Sequence, residues 1–546
     1  MPEHPSRGSV PGEVATAAAR DLFVAASLAL LVAAVFAPAL SFEFLPWDDD
    51  TYLLRNPVIR GGLGFEAIAW SFGFQPGYQY YPLTWLSHAL DFSLFGDDPR
   101  GHHAVSIGLH ALAAGLLYLF LSSTTGARWA SALAASIFGV HPLRIESVAW
   151  VAERKDVLSV CLAMGCLLAH ARWVRRPGPA RRATVLLLLV AGLLSKPMLV
   201  SMPVLLLLVD VWPLRRVSAG RARPLAALDL AVEKLPYAVL AAAAAVVAVM
   251  GQKAGEGLAP MGASPVGQRL AVALYAQGWY LWKAIAPSDL SVFYPLAAVG
   301  PAGIAGGLAA TSILLVLAAS RRVPLPVRTG VLWYLVALAP VSGLVRVGDQ
   351  LVADRYSYLP SIGLTVAAVF GVRELVGASR PALRPAAALA GVLLATSYAA
   401  TTVVDAGRFR NGLTLFSSAL ERDPGNWLAQ MKVGDEMAKA SRWEDARSHY
   451  AAAFRLRPEW DGAAGNLAQA HARLGETREM SVVLEAGLAR NPSSEWLHRL
   501  AAALYGRVGE KARADALTSR ADELRKAEKR PRGVSRSLNL EPFGRP

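Results

Sequence analysis

Three carboxylates stand side by side at Asp48, Asp49 and Asp50, directly after Trp47, with Tyr52 and Asn56-Pro57 close behind. Like charges this near repel, so such a run either binds a cation or drives the pKa of a member toward that of a usable base. Asp48 and Asp50 could ligate a divalent ion, Mg2+ or Mn2+; acting as a general base is the other chemistry open to the cluster. A solvated loop with capping aspartates is the bland alternative. A second charged stretch runs from His141 to Asp156 and contains Glu146, Glu153, Arg154 and Lys155. Arg154 and Lys155 suit a phosphate held by charge-assisted hydrogen bonds, although a self-paired turn would use the same residues. Lys196, within Ser195-Lys196-Pro197, and the group Asp349, Asp354, Arg355 and Tyr356 make two further short polar segments.

All of these segments interrupt apolar runs. Of 546 residues 54% are hydrophobic and 18% charged, which excludes a single soluble domain. Residues 1–404 hold only 53 of the 96 charged side chains, so the last quarter of the chain is differently solvated. Stretches near 21–40, 102–121, 129–142, 156–172, 184–196, 198–213, 231–250, 302–319, 329–345, 358–373 and 384–404 are apolar enough to read as eleven membrane spans. The first lacks a cleavage site and reads as a retained helix. Cys161 and Cys166, five residues apart, point about 140° apart on a helix, which excludes a disulfide or zinc framework. Gly61-Gly62-Leu63-Gly64 lacks the flanking strand and helix of a phosphate loop.

The net charge of +14 comes largely from arginines in short loops, a membrane-topology signal before a nucleic-acid one. Arg172, Arg175, Arg176, Arg181 and Arg182 crowd one loop; Arg215, Arg216, Arg221 and Arg223 another; Arg321, Arg322 and Arg328 a third; Arg373, Arg380 and Arg384 a fourth. Eleven spans with an inner N-terminus place all four in the cytoplasm, provided that 267–286 does not span. That segment mixes Arg269, Gln277 and Lys283 with Tyr275, Trp279, Tyr280 and Trp282, and is assigned to the outer interface as an amphipathic or re-entrant helix. The polar segments 41–101, 142–156, 195–197, 251–301 and 346–357 then share the outer side. His103 and His110, on one face of the second span, are expected to hydrogen-bond neighbouring helices, and Asp210 to form a buried ion pair near an inner helix end.

Toward the C-terminus the sequence repeats. Pro424, Pro458 and Pro492 are 34 residues apart, as are Leu420, Phe454 and Leu488, and Gly434, Ala468 and Ala502. A 34-residue unit with small residues where two helices touch and a proline closing the second resembles the tetratricopeptide repeat. About three units fill 408–525, and the basic tail from Lys526 to Pro546 is expected to be disordered.

The Asp-Asp loop with its trailing Asn-Pro, Tyr81-Pro82-Leu83-Thr84, the His103 to His110 helix, His141-Pro142 with Glu146 followed by Arg154 and Asp156, Ser195-Lys196, Ala353-Asp354-Arg355-Tyr356-Ser357-Tyr358-Leu359-Pro360 and terminal repeats occur together in this order. The ordered set resembles the transmembrane and tetratricopeptide-repeat-containing protein O-mannosyltransferases of the GT-C glycosyltransferase superfamily, over roughly residues 20–525. The resemblance implies an all-α chain: a cytoplasmic N-terminal tail (1–20), a polytopic GT-C helix bundle (21–404), a tetratricopeptide α-solenoid (405–525) and a tail (526–546). It implies an inverting transferase that moves a sugar, mannose by family, from a polyprenyl-phosphate carrier to a protein hydroxyl outside the cytoplasm. The acidic pair falls on Asp48 and Asp49, with Asp50 as an extra carboxylate. Arg154, Lys155 and Arg355 fall to the donor phosphate, and Asp50, His141, Glu146, Asp156, Lys196, Asp354 and Tyr356 to supporting roles. One departure is Ser195-Lys196-Pro197, where many relatives carry an acid after the lysine. The compact, Ala- and Arg-rich chain resembles bacterial members, which implies a multi-pass inner-membrane protein with the active loops and repeats extracytoplasmic.

Partners on this reading are the lipid-linked donor, membrane lipid and a polypeptide acceptor held by the repeats. Competing classes are a non-catalytic repeat scaffold on a membrane anchor, which would not need polar outer loops, and an envelope polysaccharide polymerase or ligase, which would carry its main outer loop late. A secondary transporter would gather charge at the midplane instead.

Overall fold

The computed structural model describes residues 11–217, 223–254, 265–296, 299–344, 349–377 and 380–527. Among these the chain is all-helical, apart from one isolated β-bridge between Pro295 and Gln350. The expected tail at 526–546 lies outside the described residues from 528 onward, and the first helix already begins at Pro11, inside the segment assigned to the N-terminal tail.

A helix lies on each of the eleven apolar segments, but the count of eleven spans is not reproduced. Among the described residues six helices are long and apolar enough to cross a membrane: Thr16–Ser41, Pro99–Thr125, Val151–Arg175, Pro301–Ala319, Pro360–Gly377 and Pro381–Arg410. A bent pair, Ala227–Glu233 and Leu235–Gly251, makes a seventh if taken as one span. The physical reason is length. Helix Arg128–Val140, with 13 residues, rises only about 20 Å, short of a hydrocarbon core of about 30 Å. The chain is a multi-pass membrane protein. Helix Arg384–Ala406 turns Leu389, Val392, Leu393 and Val404 outward, each at least half exposed, a face suited to lipid rather than water.

Helices pack through small residues where the hydrophobic effect cannot drive association. Helices Leu325–Leu338 and Pro360–Gly377 cross at Gly330 and Gly363, where a Cβ on either glycine would fall 2.3 Å from the other's carbonyl oxygen. Only glycine allows that approach.

The polar segments gather at one end of the bundle. Thr84 donates to the Ser195 carbonyl at 2.9 Å, the Leu351 N–H donates to the Tyr294 carbonyl at 2.9 Å, and the Glu43 N–H donates to the Arg410 carbonyl at 2.9 Å. Helix Val266–Ile285 lies along this end: Arg269 bonds the Leu344 carbonyl, Tyr280 the Ala353 amide, and the Ile285 carbonyl accepts from Tyr398. The same helix also packs on the apolar helix Pro301–Ala319, where a Cβ on Gly307 would lie 2.1 Å from the Leu274 carbonyl oxygen.

Beyond Asn411 a leading helix, Gly412–Arg422, precedes three antiparallel helix pairs: Trp427–Lys439 with Trp443–Leu456, Asp461–Arg473 with Thr477–Arg490, and Glu495–Arg507 with Lys511–Ala527. The first helices begin 34 residues apart, the sequence period. Gly434 sits where the Tyr450 ring leaves no room for a larger residue, which explains the small residue at that register.

Candidate active site

The three adjacent carboxylates separate on folding. Asp49 opens a π-helical turn, Asp49–Leu54, and is fully buried. One of its oxygens accepts from the Leu45 N–H at 2.9 Å and the other from the Ala152 N–H at 2.7 Å, so it ties the first polar loop to the second. Burial pushes its carboxyl up to about 7, against those two amide bonds. Asp50 turns to the surface, where Arg55 holds both oxygens, at 3.1 and 3.0 Å. Asp48 remains. It is half-buried, and its carboxylate has no hydrogen-bond or ion-pair partner among the described residues. Burial raises its pKa, with Glu153 reinforcing and Lys155, Arg355 and Lys432 opposing the shift. Asp48 and Asp50 do not share an environment, which removes the argument for a divalent ion there. Asn56 accepts from the Val58 and Ile59 amides at 3.2 Å each, capping the short helix that Pro57 opens; this accounts for the Asn-Pro pair.

Around Asp48 lies an ion network drawn from distant segments. Lys155 Nζ donates to Glu153 at 2.9 Å and to the Ala152 carbonyl at 3.1 Å. Arg355 binds Glu146 through both its backbone N–H, at 2.8 Å, and its guanidinium, and reaches Glu153 at 3.4 Å. Its guanidinium lies 5.7 Å from the Trp150 ring and 5.2 Å from that of Tyr356. Lys196 is ion-paired to Asp156, whose other oxygen accepts from Ser147 at 3.2 Å. Tyr294 donates to Asp354 at 2.8 Å, and Gln350 to the Tyr356 hydroxyl at 2.6 Å.

Two expected site residues face elsewhere. The Arg154 guanidinium is fully buried, ion-paired to Asp91 and bonded to the His102 carbonyl and Ser106, so it has no free face for a phosphate. His141 accepts from the Leu143 N–H at 3.2 Å and meets the Ala284 carbonyl at 3.1 Å, a loop anchor. His88, Asp91 and His102 are the one group among the described residues with three converging ligand atoms, but the Arg154 cation already occupies Asp91 and opposes a metal there. At the opposite end of the bundle Asp210 is paired to His170 at 2.8 Å, Lys234 at 2.6 Å and Arg216 at 3.3 Å, the buried ion pair expected from sequence with more partners than anticipated.

A small cleft opens beside Lys155, lined by Tyr52, Gln79, Tyr81, Thr84, Trp85 and Ala152. Lys155 Nζ stands 6.0 Å from the centre of the Tyr81 ring. Glu153, Tyr52, Trp85 and Lys432 were not chosen as site residues from sequence. Glu153 and Tyr52 lay inside the segments singled out, whereas Lys432 carried no signal. A half-buried carboxylate without a partner among the described residues, an ammonium with a spare donor, a caged guanidinium and aromatic walls can bind an anionic ligand and accept a proton from a nucleophile.

No family model matches this chain. It is similar to curated protein O-mannosyl-transferases. Tmtc2 of Drosophila melanogaster is 30% identical over 185 residues, 30% of this chain and 19% of that protein. Tmtc1 of the same fly is 27% identical over 209 residues, 37% of this chain and 24% of that protein. TMTC3 of Mus musculus is 23% identical over 436 residues, 73% of this chain and 47% of that protein. The chain spans about half or less of the length of these relatives.

Proposed function

We propose that the chain is a membrane glycosyltransferase that moves a sugar, mannose by analogy with its relatives' names, from a polyprenyl-phosphate carrier to a Ser or Thr hydroxyl of a polypeptide. The observation that carries this reading is Asp48: a half-buried carboxylate with no hydrogen-bond or ion-pair partner among the described residues, in the field of Lys155, Arg355 and Lys432, while its neighbours Asp49 and Asp50 are engaged.

A hydroxyl is a poor nucleophile, so Asp48 takes its proton as the new C1–O bond forms. The bond from C1 to the phosphate oxygen breaks in the same displacement, which inverts C1, and the polyprenyl phosphate leaves as an anion. Lys155 has three donors and spends two on Glu153 and Ala152, leaving one for that anion. Arg355 adds positive potential from its cage. Aromatic walls at Tyr52, Tyr81 and Trp85 suit a sugar face, and the carrier's apolar tail runs between helices in lipid. The C-terminal helix pairs are read as tetratricopeptide repeats that hold the acceptor. The polar end of the bundle is assigned to the extracytoplasmic side of a bacterial inner membrane, because the arginine-rich loops lie at the other ends of the helices.

The deciding experiment is transfer of label from polyprenyl-phosphate mannose, with polyprenyl-phosphate glucose in parallel, to acceptor peptide by membranes containing the protein, with and without chelator. Transfer that requires Asp48 is expected; no transfer from either donor would refute the reading.

A further inference from the structure

The strand of chain that carries Asp48 into the site is gripped by the repeat region. The Glu43 N–H donates to the Arg410 carbonyl at 2.9 Å. Pro46 packs on Gly412 so closely that a Cβ there would lie 2.3 Å from the proline Cγ. The Trp47 ring, stacked on Trp150 at 5.1 Å, also meets Phe416 at 5.9 Å. Lys432, on the first helix of the first pair, donates through Nζ to the Pro46 carbonyl at 3.1 Å. A domain that only recruited an acceptor would not need to hold the residues that lead into this turn.

Lys432 also acts electrostatically. The charged and titratable groups around Asp48 are Asp49 and Tyr52 on its own turn, Glu153 and Lys155 on the second loop, Arg355 on the third, and Lys432 from the repeats. Lys432 is itself balanced by Asp435 at 3.7 Å. Removing this cation makes the Asp48 carboxylate harder to ionise. Removing its bond to Pro46 frees the backbone two residues before the carboxylate, and small misplacements of a reacting group are costly.

We propose that the first repeat is part of the active site, and that Lys432 is a positioning residue which holds the chain segment leading to Asp48 in place from the repeat side. The inference rests on Asp48 being the base.

The test uses the full-length protein in membranes, with labelled polyprenyl-phosphate mannose and an acceptor peptide, comparing wild type with Lys432→Arg, Lys432→Gln and Lys432→Met. Lys432→Met is expected to lower kcat about ten- to a hundredfold with little change in acceptor KM. Lys432→Arg, which keeps charge and donor, restores most of it. Lys432→Gln keeps a donor and loses the charge, so its activity falls away at higher pH than wild type on the acidic side; it decides the matter should Lys432→Met fail to fold. Wild-type kcat and an unmoved acidic limb in Lys432→Gln overturn the inference, as does a rise in acceptor KM alone, which would make Lys432 an acceptor contact. A wild type that transfers no sugar overturns the underlying reading instead.

Discussion

Glu146 holds Arg355 from two sides: one carboxylate oxygen accepts the arginine's backbone N–H at 2.8 Å and the other its guanidinium, across 209 residues of sequence. The pair joins the second polar loop to the third and fixes where the guanidinium sits against Trp150. Glu146→Gln keeps an acceptor for the N–H but leaves a buried cation short of its counter-charge. Breaking such a pair costs about 3 kcal/mol. The expected result is a clear fall in Tm in detergent with a raised donor KM. Arg355→Lys should not rescue either property, because an ammonium cannot span both Glu146 and Glu153 as the planar fork does.

The adjacent aspartates separate by mutation. Asp48→Asn removes the proton acceptor and should lower kcat by about 10²- to 10⁴-fold with Tm unchanged. Because burial lifts the Asp48 carboxyl above its ordinary 3.8, the ionised base is lost as pH falls through that higher value. Turnover therefore declines on the acidic side earlier than an exposed aspartate would dictate. Asp49→Asn acts differently: an amide can accept from only one of the Leu45 and Ala152 N–H groups and turns its own NH2 on the other, costing about 1–3 kcal/mol. Activity and Tm then fall together. A stable, inactive Asp49→Asn beside an active Asp48→Asn would exchange the roles.

Much of this site was legible in the sequence. Asp48, Lys155, Arg355, Glu146 and Lys196 were marked by lying in polar segments between apolar runs, and the structure brings those segments to one end. What could not be read was orientation. Three consecutive aspartates look alike in a sequence, yet the start of a π-helical turn sends one inward to two backbone amides and one outward to Arg55, and leaves Asp48 with neither. Arg154 and Lys155 are likewise neighbours, but a helix start at Arg154 points their side chains apart. The count of eleven spans is not reproduced because hydropathy registers apolar helices of any length, and several here are shorter than a hydrocarbon core is thick. The 34-residue period matches the spacing of the helix pairs, whose first helices begin at Trp427, Asp461 and Glu495, since it follows from packing between neighbours. How the repeats dock depends on surface fit, for which Lys432 gave no local sign.

Lys155 and Arg154 should therefore differ in kinetics. Lys155→Gln removes the donor left over for an anion and is expected to raise donor KM several-fold while acceptor KM stays level. Arg154→Gln strands Asp91 in a buried site and should cost stability first. Steady-state kinetics with donor and acceptor varied in turn, beside thermal melts, separate the two. A donor KM effect confined to Arg154→Gln would return the phosphate to that residue.

Topology is open to direct labelling. Single cysteines replacing Leu63 in the first loop and Lys511 in the last repeat, in a Cys161→Ala/Cys166→Ala background, are expected to react with an impermeant thiol reagent from outside intact cells. One in place of Arg176, at the opposite end of the bundle, should not. Labelling of Leu63 and Lys511 positions from different sides would contradict the shared end that the Glu43 and Arg410 bond requires.

The last prediction concerns how much of the repeat region turnover needs. Contacts with the membrane part come from its beginning: Arg410, Gly412, Phe416, Lys432, Asn426 on the Phe293 carbonyl at 3.0 Å, and Arg457 on Asp349 at 3.0 Å. The third helix pair makes none of these and is held instead by a separate apolar cluster with the second, through Met480, Leu484, Leu497 and Leu500. Stacked repeats lose stability mainly through the interface that is cut. Ending the chain after Asn491 should therefore leave kcat on a short peptide nearly intact while weakening binding of a long acceptor. Ending it after Val404 releases residues 43–47 and should abolish transfer even to small hydroxyl acceptors, although the helix bundle remains. Should the Val404 truncation still glycosylate a small acceptor at the full rate, the membrane part alone would be the enzyme and the docking of the first repeat would serve assembly only.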